Sequence, residues 1–118
     1  MTMTPVGVEQ SIDELGVAAT LFRGLADPTR LLILNHLALG EHRVVDLTQH
    51  VGLAQSTVSA HLACLRGCGL VQVRPQGRST LWSLARPELA DLLRSAEQLL
   101  EATGRQVALC PTYAAPRP

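Results

Sequence analysis

VVDLTQHVGLAQSTVSAHLACLRGC, residues 44–68, decides how this chain folds. Its first eight residues read as a short helix, about Val44 to Val51, stopped by Gly52. A tight turn, Gly52-Leu53-Ala54, leads to Gln55-Ser56-Thr57, where a second helix starts and runs to Gly67 or Cys68. Two helices joined by a short glycine-containing turn form a helix-turn-helix. At about 100° per residue, Val58, Leu62 and Leu65 share one stripe of the second helix, its core face. Thr57, His61, Cys64 and Cys68 form another stripe about 80° round.

The flanks extend this pattern. After the second helix, Leu70 to Arg74 alternates apolar and polar residues, Pro75-Gln76-Gly77-Arg78 reads as a turn, and Ser79 to Leu84 alternates again. That predicts a β-hairpin, or wing, directly after the helix-turn-helix. A last helix, about Pro87 to Ala102, carries Leu89, Leu92, Leu93, Ala96, Leu99 and Leu100 and ends at Gly104. On the other side, Asp27 suits an N-cap and Pro28 a first helical position. The helix they open runs to about Leu39, stops at Gly40 and is apolar nearly all round, so it is expected to be the central buried helix. Gly7 to Leu25 reads as a first helix through Ile12, Leu15, Ala19, Phe22 and Leu25. The expected fold class is mainly α with a small β-hairpin wing, a winged helix-turn-helix that works as a homodimer. Residues 1–104 form the DNA-binding and dimerisation domain, and residues 105–118 a flexible C-terminal tail.

Composition narrows the function. The chain has 118 residues and a single Phe, Trp and Tyr, so one small domain with an aliphatic core is expected. The longest near-apolar run, Leu31 to Leu39, is broken by Asn35 and His36 and is far short of the ~20 residues that cross a bilayer. The opening MTMTPVGVEQ has neither the basic nor the apolar region of a signal peptide. Three cysteines, an odd number, argue against a disulfide scaffold and point to reduced thiols in the cytoplasm. No nucleophile with a base at a recognisable spacing, no Gly-rich phosphate loop and no paired carboxylates are found, so the chain is not expected to be an enzyme and no small-molecule substrate is implied.

Net charge is zero, but it is unevenly spread. Residues 42–86 hold Arg43, Arg66, Arg74, Arg78 and Arg86 against Asp46 alone, a net of +4 with His neutral. Both flanks are acidic. A basic middle is what a polyanionic partner needs. An α-helix fits the major groove and reads base edges near its N-terminus. Gln55, Ser56, Thr57, Ser59 and His61 are therefore the DNA-binding candidates on the helix, and Arg78 at the wing tip is placed to reach phosphate or the minor groove. Arg43 and Arg66 are weaker phosphate candidates. Ser56 also reads as a helix cap, His61 as an ordinary half-buried residue, and Arg78 as a solvated side chain.

Three stretches are more specific than the helix pattern: LADPTRLLILNHL (25–37), VVDLTQHVGLAQSTVSAHLACLRGCGLV (44–71) and GRSTLWSL (77–84). In order and at this spacing they resemble the ArsR/SmtB family of metal-responsive transcriptional repressors, over roughly residues 15–102. Within that family, Cys64 and Cys68 on the recognition helix with Cys110 in the tail resemble the cadmium- and lead-sensing branch. The chain departs from other branches. Where many sensors carry a cysteine pair it reads Glu41-His42-Arg43-Val44-Val45-Asp46-Leu47, and its last helix has Glu88, Asp91, Glu97 and Glu101 but no histidine.

Cys64 and Cys68 are one helical turn apart, which puts their Cβ atoms at about 5–6 Å. A disulfide needs roughly 3.5–4.5 Å, whereas two thiolates on one metal tolerate the wider gap. Both could equally be small core fillers. Cys110 sits in a Pro-bounded polar tail where a small hydrophobe has no obvious reason to be. Soft ions such as Cd(II) and Pb(II) want three thiolates, with Zn(II) also within reach of the donor set. The expected metal ligands are thus Cys64, Cys68 and Cys110, with His61 a weak candidate for a fourth.

A single module offers few contacts, and dimeric readers span two half-sites of double-stranded operator DNA. Leu15, Phe22, Leu89, Leu93, Leu99 and Leu100, on the first and last helices, are the expected dimer interface, though some of them could instead fill the monomer core. The family resemblance implies repression without metal and release with it. The alternatives are a thiol-redox or As(III)-responsive repressor of the same fold, or a winged-helix protein-interaction module.

Overall fold

A computed structural model of the chain describes residues 11–105 and residue 109. Its elements are α1 (Ser11–Leu25), α2 (Pro28–Leu37), α3 (Val44–Val51), α4 (Gln55–Gly67), β1 (Val71–Gln76), β2 (Ser79–Leu84) and α5 (Glu88–Ala102). This is the helix, helix, helix-turn-helix, hairpin, helix order of the sequence reading.

Local chemistry sets the boundaries. Asp27 caps α2: the Arg30 N–H donates to its carboxylate at 3.0 Å, and Pro28 occupies the first turn, where no N–H is needed. α2 ends at Leu37, before the expected Leu39, because Ala38 to Gly40 tighten into a turn. Gly52 ends α3 in the left-handed conformation (φ 72°) and donates its N–H to Thr48, which makes the helix-turn-helix corner. The two strands pair antiparallel from Val71↔Leu84 to Gln76↔Ser79, leaving Gly77-Arg78 as a two-residue loop. Gly77 takes φ 61°, as the first position of a II′ turn demands.

One pairing was not foreseen. His42 forms an isolated bridge to Trp82, exchanging N–H···O bonds of 3.0 and 2.8 Å, so the loop before α3 is tied to the wing at one residue.

The core is aliphatic, as the composition implies. Ile33, Leu34 and Leu37 of α2, Leu47 of α3 and Val58, Leu62 and Leu65 of α4 meet Leu70, Val71, Leu89 and Leu93. The stripe on α4 is as predicted. α2 is less wrapped than expected, since Leu32 is exposed. Leu109 also packs on this core, and its N–H donates to the buried carboxylate of Glu97. Among the described residues no helix is long and apolar enough to cross a membrane.

Candidate nucleic-acid interface and thiol pair

The turn after Gly52 makes α4 project from the core with its first residues bare. Gln55, Ser56, Thr57 and Ser59 are all exposed. Ser56 is not the cap. Ala54 takes that position with no side-chain cap bond; the Thr57 N–H donates to the Ala54 carbonyl at 3.0 Å, and the N–H groups of Gln55 and Ser56 ahead of it can meet a phosphate. The wing folds back towards this end. Arg43, Val45, Gln55, Arg78 and Thr80 line one open cleft between the start of α3, the start of α4 and the hairpin tip. A Gln that can pair with adenine thus shares a concave surface with two arginines suited to phosphate. Arg43 also lies 3.5 Å from Asp46, the arginine exposed and the carboxylate half-buried. Arg74 is committed elsewhere, in a two-point pair with Glu41 at 2.8 Å on each arm. Arg66, the other weak phosphate candidate, is exposed on the last turn of α4.

His61 departs from the expected DNA face. Its ring is half-buried, Arg30 donates to its Nδ1 at 3.4 Å, and Asp27 Oδ2 lies 4.0 Å from the same atom. The residue belongs to the α2–α4 junction. Arg30 is itself held by the carbonyls of Gly24 and Arg23 at 2.9 Å, so this junction is a hub of local bonds.

The thiols sit at the other end of α4. Cys64 is exposed and Cys68 half-buried, and both are free. The Cys68 S–H donates to the Thr20 carbonyl of α1 at 3.7 Å. Gly24, one turn further along α1, leaves the room: a Cβ there would stand 3.0 Å from the Cys68 sulfur. Burial pushes the Cys68 thiol above its ordinary value, and the neighbouring Cys64 thiol pushes the same way, while Arg30 and Arg23 oppose both. The two sulfurs are neighbours, as the one-turn spacing predicted. Cys110 lies outside the described residues. Among the described residues no group of three His, Cys, Asp or Glu side chains is set to hold a metal, so this pair requires a ligand from elsewhere to make a three-coordinate site. The donor chemistry of two adjacent thiols on a soft-ion spacing fits such an ion.

The apolar residues expected at a dimer seam divide. Leu89 and Leu93 are 6% and 2% exposed within one protomer, so they are core residues and offer nothing to a partner. They join the protomer core cluster with Leu70 and Val71, so the first half of the apolar stripe of α5 closes the protomer. Leu100 is half-buried. Leu15, Phe22 and Leu99 are 61%, 56% and 69% exposed, and Ile12 and Val17 of α1 join them. Sequence reasoning missed Thr20 and Gly24 as the walls of the thiol pocket, because nothing in a periodic pattern names a carbonyl or a missing side chain as a partner.

Comparison with known proteins agrees with this layout. Residues 27–73 match the model for "Bacterial regulatory protein, arsR family". The chain is 46% identical over 84 residues to the HTH-type transcriptional regulator CmtR of Mycobacterium bovis, spanning 71% of each protein. It is 42% identical over 81 residues to a probable mercury resistance operon repressor of Streptomyces lividans, covering 69% of this chain and 65% of that one. Among solved structures, the homodimeric winged helix-turn-helix DNA-binding domain of Mb0332 from Mycobacterium bovis superposes with a TM-score of 0.74 at 27% identity, covering 87% of this chain and 93% of that one.

Proposed function

The chain belongs to the arsR family of bacterial regulatory proteins, and on that footing we propose that it is a homodimeric repressor released from operator DNA when Cys64, Cys68 and Cys110 bind Cd(II) or Pb(II). The observation that carries the reading is the division of labour along α4. Its first turn presents Gln55, Ser56, Thr57 and Ser59 beside the Arg43–Arg78 cleft, and its last turn holds the two thiols. From Ser56 to Cys68 the axial rise is about 18 Å at 1.5 Å per residue, so one rigid helix carries both sites.

DNA and metal then oppose each other by a coupling free energy that acts reciprocally. Arg78 and Arg43 supply phosphate contacts, and Gln55 supplies base contact. Leu15, Phe22 and Leu99, with Leu100 at the edge, form the seam between protomers. Residues 1–104 make the reading and dimerising unit, and residues 105–118 contribute Cys110. The protein acts in the cytoplasm, where its thiols stay reduced. An As(III) effector would use the same three sulfurs, and ranking the ions in competition separates the two. A thiol-redox switch would instead join Cys110 to a helix thiol, and mass spectrometry after peroxide separates it from metal binding.

The test is an anaerobic titration with Cd(II), Pb(II) and Zn(II), with operator binding followed in parallel. A thiolate-to-metal absorption band should saturate at one ion per site while DNA is released. Cys110→Ser should keep operator affinity and lose cadmium-driven release. Release at an unchanged cadmium concentration would show that the three-thiolate site is wrong.

A further inference from the structure

α3 opens with two valines, and the core uses only the first. Val44 is half-buried and packs against the core cluster. Val45 is 44% exposed. A lone exposed valine on an open surface needs no explanation. This one lines the cleft that also holds Arg43, Gln55, Arg78 and Thr80. Those four neighbours all carry hydrogen-bonding groups, so Val45 puts an apolar spot into a surface otherwise built for polar contacts.

The spot is also held still. The Thr48 hydroxyl donates to the Val45 carbonyl at 2.6 Å. The N–H groups of Asp46 and Leu47 both donate to the Arg43 carbonyl at 3.1 Å, which closes the first turn of α3 around Val45. Leu47, two residues on, is fully buried and anchors that turn in the core. A valine on a helix has one dominant side-chain rotamer. Its two methyl groups are therefore presented in place, with little conformational entropy left to lose on contact.

The chemistry of the major groove says what such a spot can meet. Adenine offers an acceptor and a donor that a Gln amide can engage together, and its partner thymine carries the C5-methyl, the apolar mark of that groove. A cleft with Gln55 and Val45 on its walls suits an A·T pair and its neighbour. Cytosine lacks the methyl and carries an amine in the same groove, which an apolar neighbour would strip of water. The first helix of a helix-turn-helix crosses the DNA backbone. Arg43, at the start of α3, is the phosphate-binding residue there, and Val45 lies two residues further into the cleft that Gln55 shares.

We propose that Val45 is a specificity-determining residue, whose methyl groups seat the C5-methyl of a thymine at, or one step from, the A·T pair read by Gln55. The assignment rests on the operator-binding reading and owes nothing to the metal. Burying one methyl group is worth about fourfold in affinity, hence about fifteenfold over the two half-sites of a dimer.

The test starts from the palindromic DNA that the full, metal-free chain enriches from a random-sequence duplex library. Each thymine is replaced in turn by deoxyuridine, symmetrically in both halves, which removes one methyl group and keeps every hydrogen-bonding group. In gel shifts at fixed salt, one thymine position should cost the unaltered chain about fifteenfold in affinity. Val45→Ser should bind the thymine and uracil duplexes about equally, and Val45→Ile should restore the preference. The salt-dependence slope of Val45→Ser should match that of the unaltered chain, because no phosphate contact is lost. If no thymine is sensitive in the unaltered chain, the assignment falls without recourse to any variant. If Val45→Ser weakens both duplexes alike and keeps the full preference for thymine, the valine meets sugar or backbone and the assignment falls too. In both cases the repressor reading stands. A chain that enriches no sequence overturns both.

Discussion

Replacing Gly24 by alanine tests the seat of the Cys68 thiol. The new methyl carbon would lie 3.0 Å from the Cys68 sulfur, 3.3 Å from Leu70 Cδ1 and 3.5 Å from Cys68 Cβ. Non-bonded heavy atoms attract best at about 3.5–4.0 Å, so two of the three contacts are compressed. Relief requires Cys68 to leave the Thr20 carbonyl or α1 to back away from α4. Overpacking of this kind costs about 1–3 kcal/mol. Against it stands the helix-forming advantage of alanine, at most about 1 kcal/mol and less so close to the end of α1. The expected net loss is roughly 1–2 kcal/mol. Urea denaturation at a fixed protein concentration measures it, as a lower midpoint at unchanged slope. Cys68→Ala removes the sulfur, and in that background Gly24→Ala should cost less, with a coupling of at least about 0.5 kcal/mol. Equal midpoint gains in both backgrounds would refute the contact, and with it the picture of Cys68 held between α1 and α4.

Asp27→Ala should destabilise the fold by about 1 kcal/mol, read from thermal or urea denaturation, because α2 loses its cap. The Arg30 N–H bond holds the Asp27 carboxyl below its usual range. Its contribution is therefore present above about pH 4 and lost as pH falls through the lowered value. The acid limb of the stability–pH curve should flatten in the variant. Arg78→Ala and Arg43→Ala should each reduce the salt-dependence slope of operator binding by about one, with little change in sequence preference. Gln55→Ala should instead erode discrimination by about 1–3 kcal/mol in competition against mutated operators. Phe22→Glu combined with Leu99→Glu should convert a dimer to monomer in sedimentation while leaving the helix content intact, since both side chains are exposed in the protomer.

The sequence is most legible where the cause is local. Asp27-Pro28, Gly52 and Gly77 each act within a few residues, and each does in the structure what its chemistry requires. Val58, Leu62 and Leu65 follow from period alone. Ser56 shows the limit of even local reading. It has the right chemistry for a cap, but the backbone turns one residue before Gln55 and gives the position to Ala54. Leu89 and Leu93 show another. Periodicity identifies the apolar face of α5 but not whether the surface opposite it belongs to the same protomer or to a second copy. His61 was unreadable for the same reason, since its partner Arg30 is 31 residues away.

That distinction bears on how a metal could act at a distance. α4 is anchored along its length by Val58, Leu62 and Leu65, all fully buried, so bending it to move Gln55 would disrupt the core. The softer joint is the contact between Cys68 and α1, a single long S–H···O bond beside a glycine. A metal that binds the Cys68 thiolate displaces its proton to solvent, which removes that donor and frees the Thr20 carbonyl. α1 is also the helix whose Leu15 and Phe22 stand exposed for a partner. On the proposed reading the signal therefore leaves the thiols sideways, through α1 into the dimer seam, and reaches DNA as a changed spacing of two rigid reading heads. Cd(II) should then alter the distance between probes on the two protomers' wings while distances within one protomer stay fixed. A distance change confined to Gln55 relative to its own core would place the hinge inside α4 instead.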